Sequence, residues 1–298
     1  MAASRFTILM RWIRAFRPGG LILMCAVMGG VSAVHTGCAV QIPPLEKHTV
    51  APPSKTLTTD FFDLAYITGK RVGANLVSAK TLTVYLEGDG HAWASRTRPS
   101  VNPTPLYPVG LELAVQHPGP NPWAYVARPC QYVPVASVRN CDPRYWTSAR
   151  FAPEVIRATS QAIDTLKENL GLQRVELVGF SGGGAVALLV ASERSDVLRV
   201  ITVAGNLDHA AWTRALKVSP LIGSLNPRDF AERLGTIPQI HFFGSDDKVI
   251  PTYISEAYFA ALGQSHKIQQ RVVAGFDHVC CWARDWPALY PVYSEVGF

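Results

Sequence analysis

The chain has 298 residues, of which 48% are hydrophobic and 17% charged, a composition that suits one large globular domain with an ample core. Its net charge of +6 arises largely at the N-terminus: four of the 28 basic residues lie in residues 1 to 37, which hold no acidic residue, and the other 24 nearly balance 22 acidic residues. This balance excludes the basic surface expected of a nucleic-acid-binding protein.

The first 37 residues have the pattern of an export signal. Four arginines precede an apolar run of about 15 residues, from Gly20 to Val34, which is short for a membrane span. Thr36-Gly37-Cys38 resembles the lipobox of bacterial lipoproteins, which implies lipidation of Cys38 at the mature N-terminus. His35 departs from that pattern, so ordinary cleavage and an uncleaved anchor remain alternatives. All three predict an exported protein, either a lipoprotein on the periplasmic side of a bacterial membrane or a periplasmic or secreted one.

Residues 38 to 60 follow as a predicted spacer. They contain Pro43-Pro44 and Pro52-Pro53 with little apolar periodicity, which favours an extended chain. A spacer of this kind would hold residues 61 to 298, the expected catalytic domain, off a membrane to which Cys38 is anchored.

Strands and helices alternate through that domain. Strands are expected near 62 to 67, 81 to 87, 122 to 127, 174 to 179, 198 to 204, 238 to 243 and 268 to 273. The clearest helix runs from Pro153 to Leu170, with proline at its first position and Gly171 as its stop. This alternation predicts an α/β fold with a doubly wound, mostly parallel sheet and helices on both faces.

The most informative motif is Gly179-Phe180-Ser181-Gly182-Gly183, which lies between a β-branched strand and an apolar helix. A strand that turns sharply into a helix strains the turn residue, and small neighbours are needed where the two elements meet. Ser181 would then stand exposed at the tip of the turn, as in a nucleophile elbow. The free N–H groups at the start of the helix could receive an oxyanion.

A serine nucleophile needs a histidine base and an acid that orients it. The strand near 238 to 243 ends in a turn that carries Asp246 and Asp247, and the strand near 268 to 273 ends in a loop that carries His278. Each of these groups follows the C-terminal end of a predicted strand. Ser, Asp and His therefore occur in the chain order of α/β-hydrolases.

On these motifs, residues 60 to 295 resemble the α/β-hydrolase superfamily. The acid loop of that superfamily matches Gly244-x-x-Asp247-x-x-Ile250-Pro251, which implies Asp247 as the acid. Its oxyanion loop matches Glu87-Gly88-Asp89-Gly90, which implies the backbone N–H groups of Asp89 and Gly182 as oxyanion donors, although Glu87 stands where a histidine is usual. The resemblance also implies only a minimal cap, since residues 207 to 236 leave little room for one.

Other assignments remain open at the level of sequence. Asp246 and Asp208 are alternative acids, and Glu87, Asp89 and His91 alternate at strand spacing as conceivable metal ligands. The turn at Gly88 and Gly90 breaks that spacing, so no metal site is predicted.

The cysteines indicate an oxidising compartment. Cys130 and Cys141 are expected to form a disulfide across the loop of residues 128 to 151. That loop and residues 91 to 109 are rich in Pro, Arg and aromatic residues and are expected to wall the active-site pocket. Cys280 and Cys281 could brace the histidine loop or remain buried thiols.

The sequence therefore predicts a serine hydrolase, most simply a carboxylic-ester hydrolase, that acts on a small-molecule acyl substrate without a cofactor. The same triad could instead serve an acyltransferase or a peptidase. A noncatalytic binding lipoprotein on a hydrolase scaffold is a further alternative, but it would be expected to have a broken triad.

Overall fold

The computed structural model describes residues 50–70, 80–263, 265 and 267–291, all within one compact unit. The predicted signal peptide, Cys38 and residues 39 to 49 of the predicted spacer lie outside the described residues. Within the described ranges, no helix is both long enough and apolar enough to cross a membrane.

An eight-stranded sheet forms the centre of the molecule. Its strands are β1 (Lys55–Thr58), β2 (Asp63–Gly69), β3 (Thr81–Leu86), β4 (Trp123–Val126), β5 (Arg174–Phe180), β6 (Val197–Val203), β7 (Gln239–Gly244) and β8 (Ile268–Val273). The strand order is β1-β2-β4-β3-β5-β6-β7-β8. Pairing is parallel from β4 to β8 and antiparallel at β1 and β2.

All seven predicted strands are present, and β1 is an addition. β1 lies within the segment of residues 38 to 60 that was predicted as a spacer, so the folded domain begins before residue 61. The residues of β1 are almost all exposed, which is consistent with the lack of an apolar signal in its sequence. The strand is held instead by pairing with β2.

Helices cover both faces of the sheet. The α-helices are α1 (Val109–Val115), α2 (Pro153–Asn169), α3 (Gly182–Ser192), α4 (His209–Leu216), α5 (Ala231–Leu234), α6 (Glu256–Leu262) and α7 (Trp282–Leu289). Helices α2 and α3 share one apolar cluster with Leu82 and Val84 of β3. Helices α1 and α7 share a second cluster with Tyr85, which points to the opposite face, as successive strand residues do.

The predicted doubly wound sheet and minimal cap are both confirmed. Residues 204 to 238, between β6 and β7, contain only α4, a short 3-10 helix (Pro227–Phe230) and α5. Helix α2 begins at Pro153 as predicted and buries an apolar stripe that includes Ile156 and Ile163. Helix α3 is buried along its whole length, as its apolar sequence indicates.

Candidate active site

Ser181 occupies a strained turn between β5 and α3. Its φ is 51° and its ψ is −120°, a backbone state that residues with a side chain rarely adopt. The turn requires glycine at position 183, because the helix starts so close to β3 that a Cβ there would overlap the carbonyl groups of Leu86 and Glu87. The turn leaves Ser181 partly exposed in a cleft at the carboxyl edge of the sheet.

The structure brings Ser181, His278 and Asp247 together from three separate loops. The Oγ of Ser181 lies 3.0 Å from Nε2 of His278, and Nδ1 of His278 lies 2.8 Å from Oδ2 of Asp247. The other oxygen of Asp247 accepts the backbone N–H groups of Val249 and Ile250, both at 2.8 Å. The three side chains form the hydrogen-bonded chain that a serine nucleophile requires.

The surroundings of Asp247 favour its charged form. Burial by itself would raise the pKa of this carboxyl, but His278 and the N–H groups of Val249 and Ile250 outweigh burial and hold the pKa below its usual value. Asp247 is therefore ionised at neutral pH and can stabilise an imidazolium on His278.

The two alternative acids lie elsewhere. Asp246 accepts a hydrogen bond from Ser245 Oγ at 2.8 Å and is exposed. Asp208 is buried at the start of α4, where it accepts the N–H groups of Ala210 and Ala211 as a helix N-cap. No hydrogen bond joins either carboxylate to His278 among the described contacts, so the geometry favours Asp247.

Two backbone N–H groups lie close to Ser181, those of Gly182 and Asp89. Gly182 is the first residue of α3, so its N–H has no acceptor within the helix. In the described part of the chain, neither this N–H nor that of Asp89 donates a hydrogen bond to the protein. Both groups are the ones that the oxyanion-loop resemblance indicated.

The Asp89 side chain is bound by two arginines that the sequence analysis did not identify. Arg150 Nη1 donates to Oδ2 at 2.6 Å, and Arg128 Nη1 donates to Oδ1 at 3.3 Å. Burial raises the pKa of Asp89, but the charges of Arg150 and Arg128 lower it further than burial raises it. The only sequence signal for this pairing was the arginine content of residues 128 to 151.

Glu87 serves α1 rather than a metal. Its Oε1 accepts the backbone N–H groups of Gly88 and Gly110, at 2.9 and 3.1 Å. Its Oε2 accepts the backbone N–H of Leu111 at 3.2 Å and the hydroxyl of Tyr125 at 2.9 Å. This carboxylate therefore satisfies the free N–H groups at the start of α1 and fixes that helix against the sheet.

A cleft of about 360 Å³ opens over Ser181 and His278. Its apolar lining includes Trp93, Leu106, Tyr107, Phe180, Trp212, Val249, Ile250 and Val279. The loop of residues 91 to 109 thus walls the cleft as expected. Residues 128 to 151 contribute Arg150, whereas their aromatic residue Trp146 packs inside the domain with Cys130.

The described cysteines are paired. Cys130 is bonded to Cys141 as predicted, and Cys280 is bonded to its neighbour Cys281, a pairing that the sequence analysis did not predict. Cys130 lies two residues after Arg128. The first bridge therefore closes the same loop that supplies a ligand to Asp89.

The fold and the site define this protein as an α/β-hydrolase. Solved structures with the same fold include an alpha-beta serine hydrolase homologue from Coxiella burnetii, with a TM-score of 0.53, 14% identity and coverage of 81% of this chain and 96% of that one. Another is the Pyrococcus furiosus esterase Pf2001, with a TM-score of 0.53, 15% identity and coverage of 78% and 88%. A third is Est1E from Butyrivibrio proteoclasticus bound to ferulic acid, with a TM-score of 0.56, 11% identity and coverage of 79% and 95%.

The family follows from the sequence itself. The model of the FSH1 serine hydrolases matches residues 120–272, just over half of the chain, and the protein belongs to that family. No curated protein sequence matches the chain significantly. The protein is thus a serine hydrolase with the α/β-hydrolase fold.

Proposed function

We propose that this hydrolase cleaves carboxylic esters through an acyl-enzyme formed on Ser181. The observation that carries the proposal is the chain of contacts from Ser181 Oγ to His278 and on to Asp247, at 3.0 and 2.8 Å. Nucleophile, base and orienting acid are then all within hydrogen-bond reach of their partners.

In the first half of the reaction, Ser181 Oγ attacks the carbonyl carbon of the ester while His278 Nε2 takes the hydroxyl proton. The tetrahedral intermediate collapses, the C–O bond to the alcohol breaks, and His278 returns the proton to the departing alkoxide. A water then attacks the acyl-enzyme by the same route, and the acid product leaves with Ser181 restored.

The negative charge that forms on the carbonyl oxygen would be received by the N–H groups of Gly182 and Asp89. The start of α3 adds a partial positive charge at the same place. Asp247 remains ionised throughout and stabilises the imidazolium on His278.

The substrate is proposed to be a small acyl ester with an apolar group. The volume of the cleft is near the lower end of the range for small-molecule sites, and most of its lining side chains are aliphatic or aromatic. A compact ester fits a cleft of this volume better than a large peptide or a long polymer does.

A serine-directed fluorophosphonate tests the proposal directly. Wild-type protein should be labelled on Ser181 and should hydrolyse p-nitrophenyl esters, whereas Ser181→Ala should lose labelling and about 10⁶-fold in turnover while its melting temperature is unchanged. Labelling of the alanine variant at the wild-type rate would remove Ser181 from the reaction. Product analysis with added alcohol separates the alternatives, since transfer of most acyl groups to the alcohol would indicate an acyltransferase.

We also propose that the enzyme works outside the cytoplasm, as a lipoprotein anchored through Cys38. The motivation is the basic and then apolar segment before Cys38, together with the Cys130–Cys141 disulfide, since disulfides persist in oxidising compartments. Lipid on Cys38 would provide the membrane contact.

A further inference from the structure

Resting on the proposed function, we infer that Arg128 and Arg150 are positioning residues for the oxyanion loop. They hold the Asp89 carboxylate, so that the Asp89 backbone N–H stays directed at the reacting carbonyl and the carboxylate charge does not oppose the oxyanion.

The Asp89 carboxylate lies directly beside the elbow. A Cβ on Gly182 would overlap Asp89 Oδ1, so only the missing side chain of Gly182 lets the carboxylate occupy this position. A full negative charge is thereby placed next to one of the two proposed oxyanion donors. Without compensation, it would disfavour the developing oxyanion, because like charges repel strongly where water is largely excluded.

The two arginines provide the compensation. Each binds a different oxygen of Asp89, and their side chains are only 5% and 6% exposed. Two positive charges thus flank the Asp89 carboxylate and offset its negative charge.

Both guanidinium groups are themselves fixed. Arg150 Nε donates to the Thr147 carbonyl at 2.6 Å, and Arg128 Nη2 donates to the carbonyl of Arg150. Arg128 also stacks over the Phe151 ring, 5.3 Å from its centroid. The carboxylate is thus held by rigid groups rather than by mobile surface side chains.

The same segment also holds the backbone of the oxyanion loop. Gln131 Nε2 donates to the Gly88 carbonyl at 3.1 Å, while Gln131 Oε1 accepts the N–H of Arg128, also at 3.1 Å. The peptide that carries the Asp89 N–H is the one that begins with this Gly88 carbonyl. Its orientation is therefore set by residues 128 to 131 from one side and by the bound carboxylate from the other.

The test is a kinetic comparison of Arg150→Gln, Arg150→Lys and the double variant Asp89→Asn/Arg150→Gln with wild type. Arg157→Gln is the matched control, because Arg157 is exposed on α2 and lies outside the cleft. For Arg150→Gln we expect kcat to fall by at least about 10-fold, and by no more than the 10²- to 10³-fold that is typical of a lost oxyanion donor. KM should be nearly unchanged. Arg150→Lys should retain more activity, and Arg157→Gln should match wild type.

The double variant distinguishes neutralisation of the Asp89 charge from simple folding support. If Arg150 acts by neutralising Asp89, removal of the carboxylate charge should restore part of the kcat lost in Arg150→Gln. Inhibition by an alkyl boronic acid, which forms a tetrahedral adduct with a serine, should weaken in parallel with kcat/KM, whereas inhibition by the product alcohol should not change.

Three outcomes would overturn the inference. The first is an unchanged kcat in Arg150→Gln, and the second is a double variant that loses as much kcat as Arg150→Gln does. The third is inhibition by the product alcohol that weakens as much as inhibition by the boronic acid. These results are separable from failure of the proposed function. A wild-type protein that neither reacts with fluorophosphonate nor cleaves esters would refute the esterase itself, whereas an active wild type with an unaffected Arg150→Gln refutes only the role of the arginines.

Discussion

At the residue scale, the site depends on the hydrogen-bond and ion-pair partners of its buried carboxylates. Asp247 uses both of its oxygens, one for His278 and the other for two backbone N–H groups. Glu87 and Asp89 are close in sequence but serve different partners, α1 and an arginine pair. The role of each of these carboxylates therefore depends on the hydrogen-bond donors around it and not on its place in a motif.

The acid of the triad can be identified by exchange of single carboxylates. Asp247→Asn should lower turnover by about 10⁴, because an amide can hold His278 in the wrong tautomer. Asp246→Asn and Asp208→Asn should both have little effect on turnover, since Asp246 is exposed and an asparagine at position 208 can still cap α4. Steady-state kinetics and melting curves of the three variants check this ranking, and a larger kinetic loss in either of the last two would reassign the acid.

His241 should make stability depend on pH. This residue is buried in β7 between Thr202 and Gln239, and burial lowers its pKa from 6.5 to about 3. Between pH 6.5 and about pH 3, His241 binds a proton in the unfolded chain but stays neutral in the folded chain. The free energy of unfolding should therefore decrease as pH falls, by up to about 1.4 kcal/mol per pH unit for this group.

Urea denaturation between pH 7 and pH 5 measures this effect. The slope of unfolding free energy against pH should be shallower in His241→Gln than in wild type, whatever the absolute stability of the variant. Equal slopes would show that another group controls acid sensitivity.

At the element scale, the strand ends carry the chemistry and the loops between them complete the site. Loop 128 to 151 has little regular structure beyond one 3-10 turn, Pro143–Trp146, yet it supplies Arg128, Gln131 and Arg150. The Cys130–Cys141 bridge ties this loop together. Order in the loop therefore bears on the oxyanion loop as well as on stability.

Loss of that bridge should be measurable in both respects. Replacing Cys130 and Cys141 with serine should lower the free energy of unfolding by roughly 2 to 4 kcal/mol, chiefly because the unfolded chain gains freedom. We expect kcat to fall as well, since Arg128 and Gln131 lie beside the bridge, while Ser181 still reacts with fluorophosphonate. Nonreducing peptide mapping of wild type verifies the pairing. Free thiols at positions 130 and 141 would contradict the prediction.

At the scale of the whole molecule, the parallel sheet gathers residues that are far apart in the chain. Ser181 and His278 are separated by 97 positions, and His278 and Asp247 by 31. They meet because the carboxyl ends of β5, β7 and β8 lie at one edge. The minimal cap leaves that edge accessible to a small substrate.

The anchor is a property of the full chain and can be tested on exported protein. Expressed in a bacterium with a lipoprotein pathway, wild type should partition with membranes, and Cys38→Ser should not acquire lipid. Mass spectrometry of the mature N-terminus is the measurement. A mature chain that begins at another residue and carries no lipid would refute the lipoprotein proposal and leave export as a separate question.

The sequence by itself predicted the sheet, the elbow and the chain order of a serine, an acid and a histidine. These features depend on local patterns: apolar runs that form strands, small residues where a helix meets a strand, and polar groups directly after strand ends. Each pattern is complete within about ten residues, so it can be recognised without the fold.

Tertiary structure alone decided which groups face one another. Strand β1 has no apolar signal and depends on its pairing with β2. Arg128 and Arg150 lie 39 and 61 positions from Asp89, and no periodicity links such residues along the chain. Charge pairing and the choice among acids depend on distances that exist only after the backbone has folded, because electrostatic interactions act through space and not along the sequence.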